Sequence, residues 1–157
     1  KAFKDQGYRL VGVTNQAGVA RGYYTEDDVK ELHRYMNELL AGQGVKIDAF
    51  YYCPHHPEHG IGKYKVRCHC RKPETGMFEM AEQDFAVDKA SSWMIGDKLI
   101  DMEAGRNYGV RTVLVGTGYG AGVHDEQKKK GDFPYDLYAD DLLEAYDEIN
   151  RETAGNL

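Results

Sequence analysis

The chain's 157 residues amount to one domain, long enough to bury a core. A net charge of −6, with 41% hydrophobic and 29% charged residues, is ordinary for a globular protein and leaves no electrostatic footprint for nucleic acid or an anionic membrane surface. No apolar run approaches the ~20 residues of a membrane span.

The chain opens Lys1-Ala2-Phe3-Lys4-Asp5-Gln6-Gly7, which reads as the last turns of a helix stopped by a glycine. No methionine precedes it, so the expectation is that the protein's beginning is missing from this sequence; a targeting segment upstream is left open. Tyr8 to Thr14 is a short β-branched run, expected to be a buried strand, and residues 15–24 form a glycine-containing loop. Thr25 then opens a helix with Glu26, Asp27 and Asp28 in its first turn, where negative charge suits the helix dipole. Val29, Leu32, Met36, Leu39 and Leu40 mark its apolar face. Ala49 to Tyr52 is a second strand, and a helix over 76–85 carries Met77, Met80, Ala81 and Phe85. Trp93 to Gly96 is a third strand, followed by a helix over 99–108 closed by Gly109, and Val110 to Val115 is a fourth strand. A glycine-rich polar loop is expected from Gly116 to about Tyr135, with Lys128, Lys129 and Lys130 as a solvated part of it, and a final helix near 141–151.

Strand and helix alternate throughout, which predicts an α/β fold: a Rossmann-like three-layer arrangement with a mostly parallel sheet between helices. Ligands of such sheets bind beyond the carboxyl ends of the strands. Thr14-Asn15-Gln16, Cys53-Pro54-His55 and Gly96-Asp97-Lys98 each follow a predicted strand directly.

All three cysteines lie between Cys53 and Cys70. Cys53-Pro54-His55 and Cys68-His69-Cys70 can supply four soft ligands in a tetrahedron, the arrangement a structural Zn²⁺ prefers. A disulfide competes, but Cys68 and Cys70 sit too close in sequence for an easy bridge, so Cys53 would pair with one and leave the other free. His55, His56, His59 and His69 are all candidate ligands. His55 is favoured because Cys-x-His repeats the step of Cys-x-Cys, and His69 would point away from its flanking cysteines. Four protein ligands leave no open position, so this metal folds a loop and does no chemistry. Reduced, metal-bound cysteines suit the cytoplasm. Lys63, Lys65, Arg67, Arg71 and Lys72 flank the cysteines, either as a solvated loop or as the rim of a site for an anionic small molecule.

Thr14 supplies a hydroxyl, and the turn after it amides and backbone N–H groups, which can cradle a phosphate or simply cap a turn. Arg71 and Lys72 supply two positive donors suited to anionic oxygens, or a surface basic pair. Asp97 and Asp101 stand four residues apart where a strand becomes a helix, a placement that suits Mg²⁺ beside phosphate-binding cations; Asp97 as a plain helix cap is the alternative.

Together these residues resemble the haloacid dehalogenase (HAD) superfamily of phosphotransferases, with Thr14 in the place of its second motif, Lys72 of its third and Gly96-Asp97-x-x-x-Asp101 of its fourth. The stretches Thr14 to Gly22, Tyr51 to Pro57, Cys68 to Pro73 and Gly96 to Lys98 resemble its branch of heptose-bisphosphate and histidinol-phosphate phosphatases, from about Gly7 to Val115. The Val19-Ala20-Arg21-Gly22 loop is more similar to the heptose-bisphosphate enzymes. The resemblance implies a phosphatase acting on a small sugar phosphate through a phosphoaspartyl intermediate, with catalytic Mg²⁺ and structural Zn²⁺. Thr14 and Lys72 would grip the transferring phosphoryl group, while Asn15, Gln16, Ala17 and Arg71 would contact the substrate. Asp97, with Lys98 as a weaker candidate, would hold Mg²⁺ and Asp101 would support it. Cys53, His55, Cys68 and Cys70 would hold zinc. It implies a monomer with no nucleic-acid or membrane partner. The family's first motif, Asp-x-Asp-Gly-Thr, does not occur in residues 1–157. The expectation is therefore that the first central strand and its nucleophile lie upstream, and that this chain alone is inactive. A zinc-stabilised binding module without catalysis is the reading from another class.

Overall fold

The computed structural model describes residues 1–155 and divides into two compact units, Lys1–Ala86 and a second beginning at Val87. Each is described by itself. In the first unit a short helix α1 (Ala2–Asp5) is stopped by Gly7, whose φ of 89° few other residues adopt. Strand β1 (Val11–Asn15) leads through a short helix α2 (Ala17–Ala20) into α3 (Glu26–Ala41), then β2 (Ala49–Cys53) and, after the cysteine loop, α4 (Gly76–Asp84). β1 and β2 pair in parallel from Val11↔Ala49 to Asn15↔Cys53.

Alternation along β2 sends its side chains to two different helices. Phe50 stacks on His33 of α3 at 4.2 Å between ring centroids, with Tyr52 tilted against the same ring. Val13, Tyr51 and Cys53 instead join Met77 of α4 and Cys70 in a separate buried cluster. Thr25 caps α3 as expected: Oγ1 accepts from Asp28 N–H, and the Asp28 carboxylate accepts from Thr25 N–H in return. The apolar face of α3 departs from expectation. Val29 and His33 are buried, whereas Leu32, Met36 and Leu39 are exposed. The inward line is Val29–His33–Asn37, where Asn37 donates to Ile47 C=O at 3.1 Å and accepts from Ile47 N–H at 2.8 Å. A stacked imidazole and a hydrogen-bonded carboxamide take the packed face in place of the leucines.

The second unit contains β3 (Trp93–Gly96), α5 (Leu99–Tyr108), β4 (Arg111–Val115), α6 (Gly120–Lys130), β5 (Leu137–Ala139) and α7 (Leu142–Gly155). The strands form a parallel sheet in the order β3-β4-β5. α5 ends on Gly109 at φ 94° and packs on β3 and β4, with Gly105 admitting Met94 and Thr112 at distances a Cβ would not allow. Met102, Val113, Leu114 and Ile149 are fully buried. The expected loop over 116–135 is instead largely helix: α6 runs to Lys130 and closes on Gly131 at φ 65°. Lys128, Lys129 and Lys130 are solvated as expected, but on the last turn of that helix, where cations suit the dipole. β5 was not foreseen; at three residues it is too short to carry an alternation signal. Parallel strands joined by helices bear out the α/β class, in two sheets. Among the described residues, no helix is long and apolar enough to cross a membrane.

Candidate active site and metal centre

In the first unit, the pairing Asn15↔Cys53 ends β1 and β2 level with each other, so the Thr14 turn and the cysteine loop leave from neighbouring strand ends. Lys72 is buried at 8% exposure, and its ammonium donates to Val13 C=O at 2.8 Å, next to Thr14. Asn15 clamps the Lys72 backbone: Oδ1 accepts from Lys72 N–H at 2.9 Å while Nδ2 donates to Lys72 C=O at 3.2 Å. The Asn15 carboxamide, expected to touch substrate, is thus directed at Lys72. Gln16 Nε2 donates to Thr14 Oγ1 at 3.0 Å, and Gln16 Oε1 accepts from the Tyr24 hydroxyl at 2.7 Å. Ala17 opens α2, and Arg71 donates to His55 C=O at 3.4 Å. A buried ammonium next to Thr14 at the end of β1, with Arg71 on the loop that leaves β2, offers the donor types that suit a phosphate dianion.

Cys53, His55, Cys68 and Cys70 come together, with all four ligand atoms within 4.8 Å of one another. His55 Nδ1 lies 3.8 Å from both Cys53 Sγ and Cys70 Sγ. Around Zn²⁺ a tetrahedron has an N···S edge of about 3.6 Å and an S···S edge of about 3.8 Å; the two His55 distances lie close to the first, whereas Cys68 Sγ and Cys70 Sγ, 2.6 Å apart, stand closer than the second. The three cysteines are unbridged, and each lies with His55 in the one cluster, the arrangement a shared metal would use. Burial pushes the Cys53 and Cys70 thiols upward, so neutral thiols are what this pocket favours until a cation supplies the charge to hold thiolates. His69 stands apart, its Nε2 bonded to Glu79 at 2.9 Å, a carboxylate that raises its pKa. His56 and His59 pack on each other outside the four-residue cluster.

One feature of this unit was not anticipated. Glu26, the first residue of α3, accepts hydrogen bonds from the Tyr52 and Tyr64 hydroxyls, both at 2.8 Å. These bonds hold its carboxyl below the usual range, and burial followed by that carboxylate pushes Tyr52 up to about 12. The three residues line a cavity of about 660 Å³ beside the cysteine cluster, which Thr14, Arg71 and Lys72 do not line. Nothing in the sequence links Glu26 to Tyr64, 38 residues away.

In the second unit, Asp97 follows β3 directly and precedes α5, whose cap position is Lys98 rather than Asp97. Asp101 is buried, accepts from Lys98 N–H at 3.2 Å, and lies against Gly96, where a Cβ would stand 2.6 Å from Asp101 Oδ2. Asp97 Oδ2 accepts from Tyr119 N–H at 3.0 Å. The Lys98 ammonium sits 4.5 Å over the Tyr119 ring; having no lone pair, it cannot ligate a cation. Asp97 offers the hard carboxylate oxygen that Mg²⁺ takes, so the residues present fit that ion.

Residues 69–145 match a family model described as HAD-hydrolase-like. The D-glycero-beta-D-manno-heptose-1,7-bisphosphate 7-phosphatase of Haemophilus ducreyi is 48% identical over 130 residues, 82% of this chain and 71% of that protein. The Vibrio cholerae enzyme of the same name is 50% identical over 118 residues, covering 74% of this chain and 63% of that one. A crystal structure of the D,D-heptose 1,7-bisphosphate phosphatase from B. bronchiseptica, complexed with magnesium and phosphate, superposes with a TM-score of 0.78 at 30% identity, covering 96% of this chain and 78% of that one. The chain belongs to the HAD-like phosphatases, in the D-glycero-D-manno-heptose-1,7-bisphosphate 7-phosphatase family.

Proposed function

We propose that the protein is a Mg²⁺-dependent phosphomonoesterase that removes the 7-phosphate of D-glycero-D-manno-heptose 1,7-bisphosphate through a phosphoaspartyl intermediate. The observation that carries this reading is the Lys72 ammonium, buried beside Thr14 with its backbone clamped by Asn15. A buried cation preset at a strand end stabilises a phosphoryl group without reorganising during the reaction. The names of the relatives supply the substrate and favour heptose bisphosphate over histidinol phosphate.

In this reading Lys72 and Thr14 take the oxygens of the transferring phosphoryl group. Arg71, Gln16 and Ala17 face the rest of the substrate, with Asn15 acting through Lys72. Asp97 would hold Mg²⁺, which when bound offsets the charge of carboxylates and phosphate, and Asp101 steadies the backbone at Lys98. Zn²⁺ on Cys53, His55, Cys68 and Cys70 would fix the loop carrying Arg71 and Lys72. The attacking carboxylate belongs to a motif that residues 1–157 do not contain, so these residues bind and neutralise rather than attack. The protein would act in the cytoplasm as a monomer, with a small sugar phosphate as its partner.

Turnover of heptose 1,7-bisphosphate and histidinol phosphate by the intact protein, with and without Mg²⁺, tests the reading. Preference for histidinol phosphate would overturn the substrate, and full turnover in EDTA the metal.

A further inference from the structure

The turn after β4, Gly116-Thr117-Gly118-Tyr119-Gly120, leads from that strand into α6 beside Asp97. Its geometry within the second unit is unusually specific. Gly118 has a φ of +64°, and a Cβ there would stand 2.3 Å from Asp97 Oδ2. A Cβ on Gly120 would stand 1.6 Å from Val115 C=O, so the turn can fold back on its own strand only without side chains at both positions. The consequence is that the Tyr119 N–H reaches Asp97 Oδ2 at 3.0 Å. Tyr119 itself is 66% exposed, so its ring fills no core, yet it lies over the ammonium of Lys98, the neighbour of Asp97. Backbone and side chain of one residue therefore hold both members of the Asp97-Lys98 pair.

We propose that Gly118 and Tyr119 are positioning residues that preset the Asp97 carboxylate, holding Oδ2 on the Tyr119 N–H so that Oδ1 is the oxygen presented to a divalent cation. This rests on the reading of Asp97 as the Mg²⁺-holding carboxylate. A carboxylate fixed through one oxygen loses less freedom on binding metal through the other. Gly118 is required because Oδ2 occupies the space a side chain would need, and Tyr119 because its ring over Lys98 keeps the turn closed.

The test is Mn²⁺ binding to the intact protein, followed by loss of the free-ion electron paramagnetic resonance signal, alongside the Mg²⁺ dependence of turnover. Gly118→Ala is strained at positive φ; Gly118→Asn tolerates that φ but keeps the colliding Cβ, separating strain from contact. Both are expected to weaken Mn²⁺ binding by about tenfold or more and to raise the Mg²⁺ concentration for half-maximal turnover by a similar factor. Tyr119→Gly, at an exposed side chain, is expected to weaken it about two- to fivefold, with Tyr119→Phe restoring it. Gly122→Ala, two residues along in open space, is expected to leave affinity unchanged. Unchanged Mn²⁺ affinity in Gly118→Asn, or in Tyr119→Gly where the Gly118 variants do not fold, overturns the proposal provided Asp97→Asn abolishes binding. Unchanged affinity in Asp97→Asn instead overturns the assignment of Asp97 itself, and the proposal with it.

Discussion

Asn15→Ala separates a residue that holds Lys72 from one that contacts substrate. The substitution removes the donor to Lys72 C=O at 3.2 Å and the acceptor for Lys72 N–H at 2.9 Å. Each net hydrogen bond contributes about 1 kcal/mol, and a backbone donor deprived of its acceptor in a buried setting costs about 1–3 kcal/mol. Together these give an expected loss of about 2–4 kcal/mol in urea unfolding of the intact protein. The kinetic consequence is larger, because a displaced cation no longer meets the developing phosphoryl charge: kcat/KM is expected to fall about 10- to 100-fold, mostly in kcat. Asn15→Asp keeps an acceptor for Lys72 N–H but sets a carboxylate oxygen against Lys72 C=O, so it should be intermediate in both measurements. A pure substrate contact would raise KM and leave stability alone. Wild-type unfolding in Asn15→Ala, within about 0.5 kcal/mol, would refute the clamp.

Three further outcomes follow from the same geometry. Cys68→Ser, or chelation of the wild type, should release one zinc per chain and lower stability; metal analysis finding no zinc in a fully stable wild type would contradict this. Glu26, held below the usual carboxylate range by Tyr52 and Tyr64, contributes stability that is present above its unfolded pKa of about 4.3 and lost as pH falls through its lower folded value. The stability gap between wild type and Glu26→Gln should therefore be widest near about pH 7 and narrow as pH falls below about 4; urea midpoints giving an unchanged gap through that range would contradict it. Thr25→Ala, which breaks the reciprocal cap on α3, should cost about 1 kcal/mol, and a change below about 0.3 kcal/mol would mean the cap is not limiting.

What could be read in advance was local chemistry with a fixed spacing. Two Cys-x-[His/Cys] pairs led to the four residues that converge, and Gly109 marked the end of α5 because only a glycine closes a helix at that φ without strain. Two kinds of information were not local. The face of α3 was misassigned because leucine counts outweigh His33 and Asn37 in any hydropathy pattern, while Phe50 and the Ile47 backbone made those two the packed ones. α6 was hidden because Gly120, Gly122, Val123, His124 and Asp125 depress helix propensity in its first half, although Gly131 at its end was a visible stop signal. Within the site, the types of Thr14, Lys72 and Asp97 were legible, but not the partners: Asn15 turned onto Lys72, and Tyr119 onto Asp97, across gaps of 57 and 22 residues. Such pairings depend on which strand ends the fold places side by side, and no local pattern records them.

The measurement that bears most directly on the account is phosphate release from heptose 1,7-bisphosphate by the intact protein, as wild type and as Lys72→Ala, with Mg²⁺ present and after its removal. Wild type is expected to release one phosphate per molecule in a Mg²⁺-dependent manner, and the folded Lys72→Ala variant to lose at least about a hundredfold in rate. Undiminished turnover in Lys72→Ala would contradict this, because the buried ammonium beside Thr14 would then have no part in the chemistry.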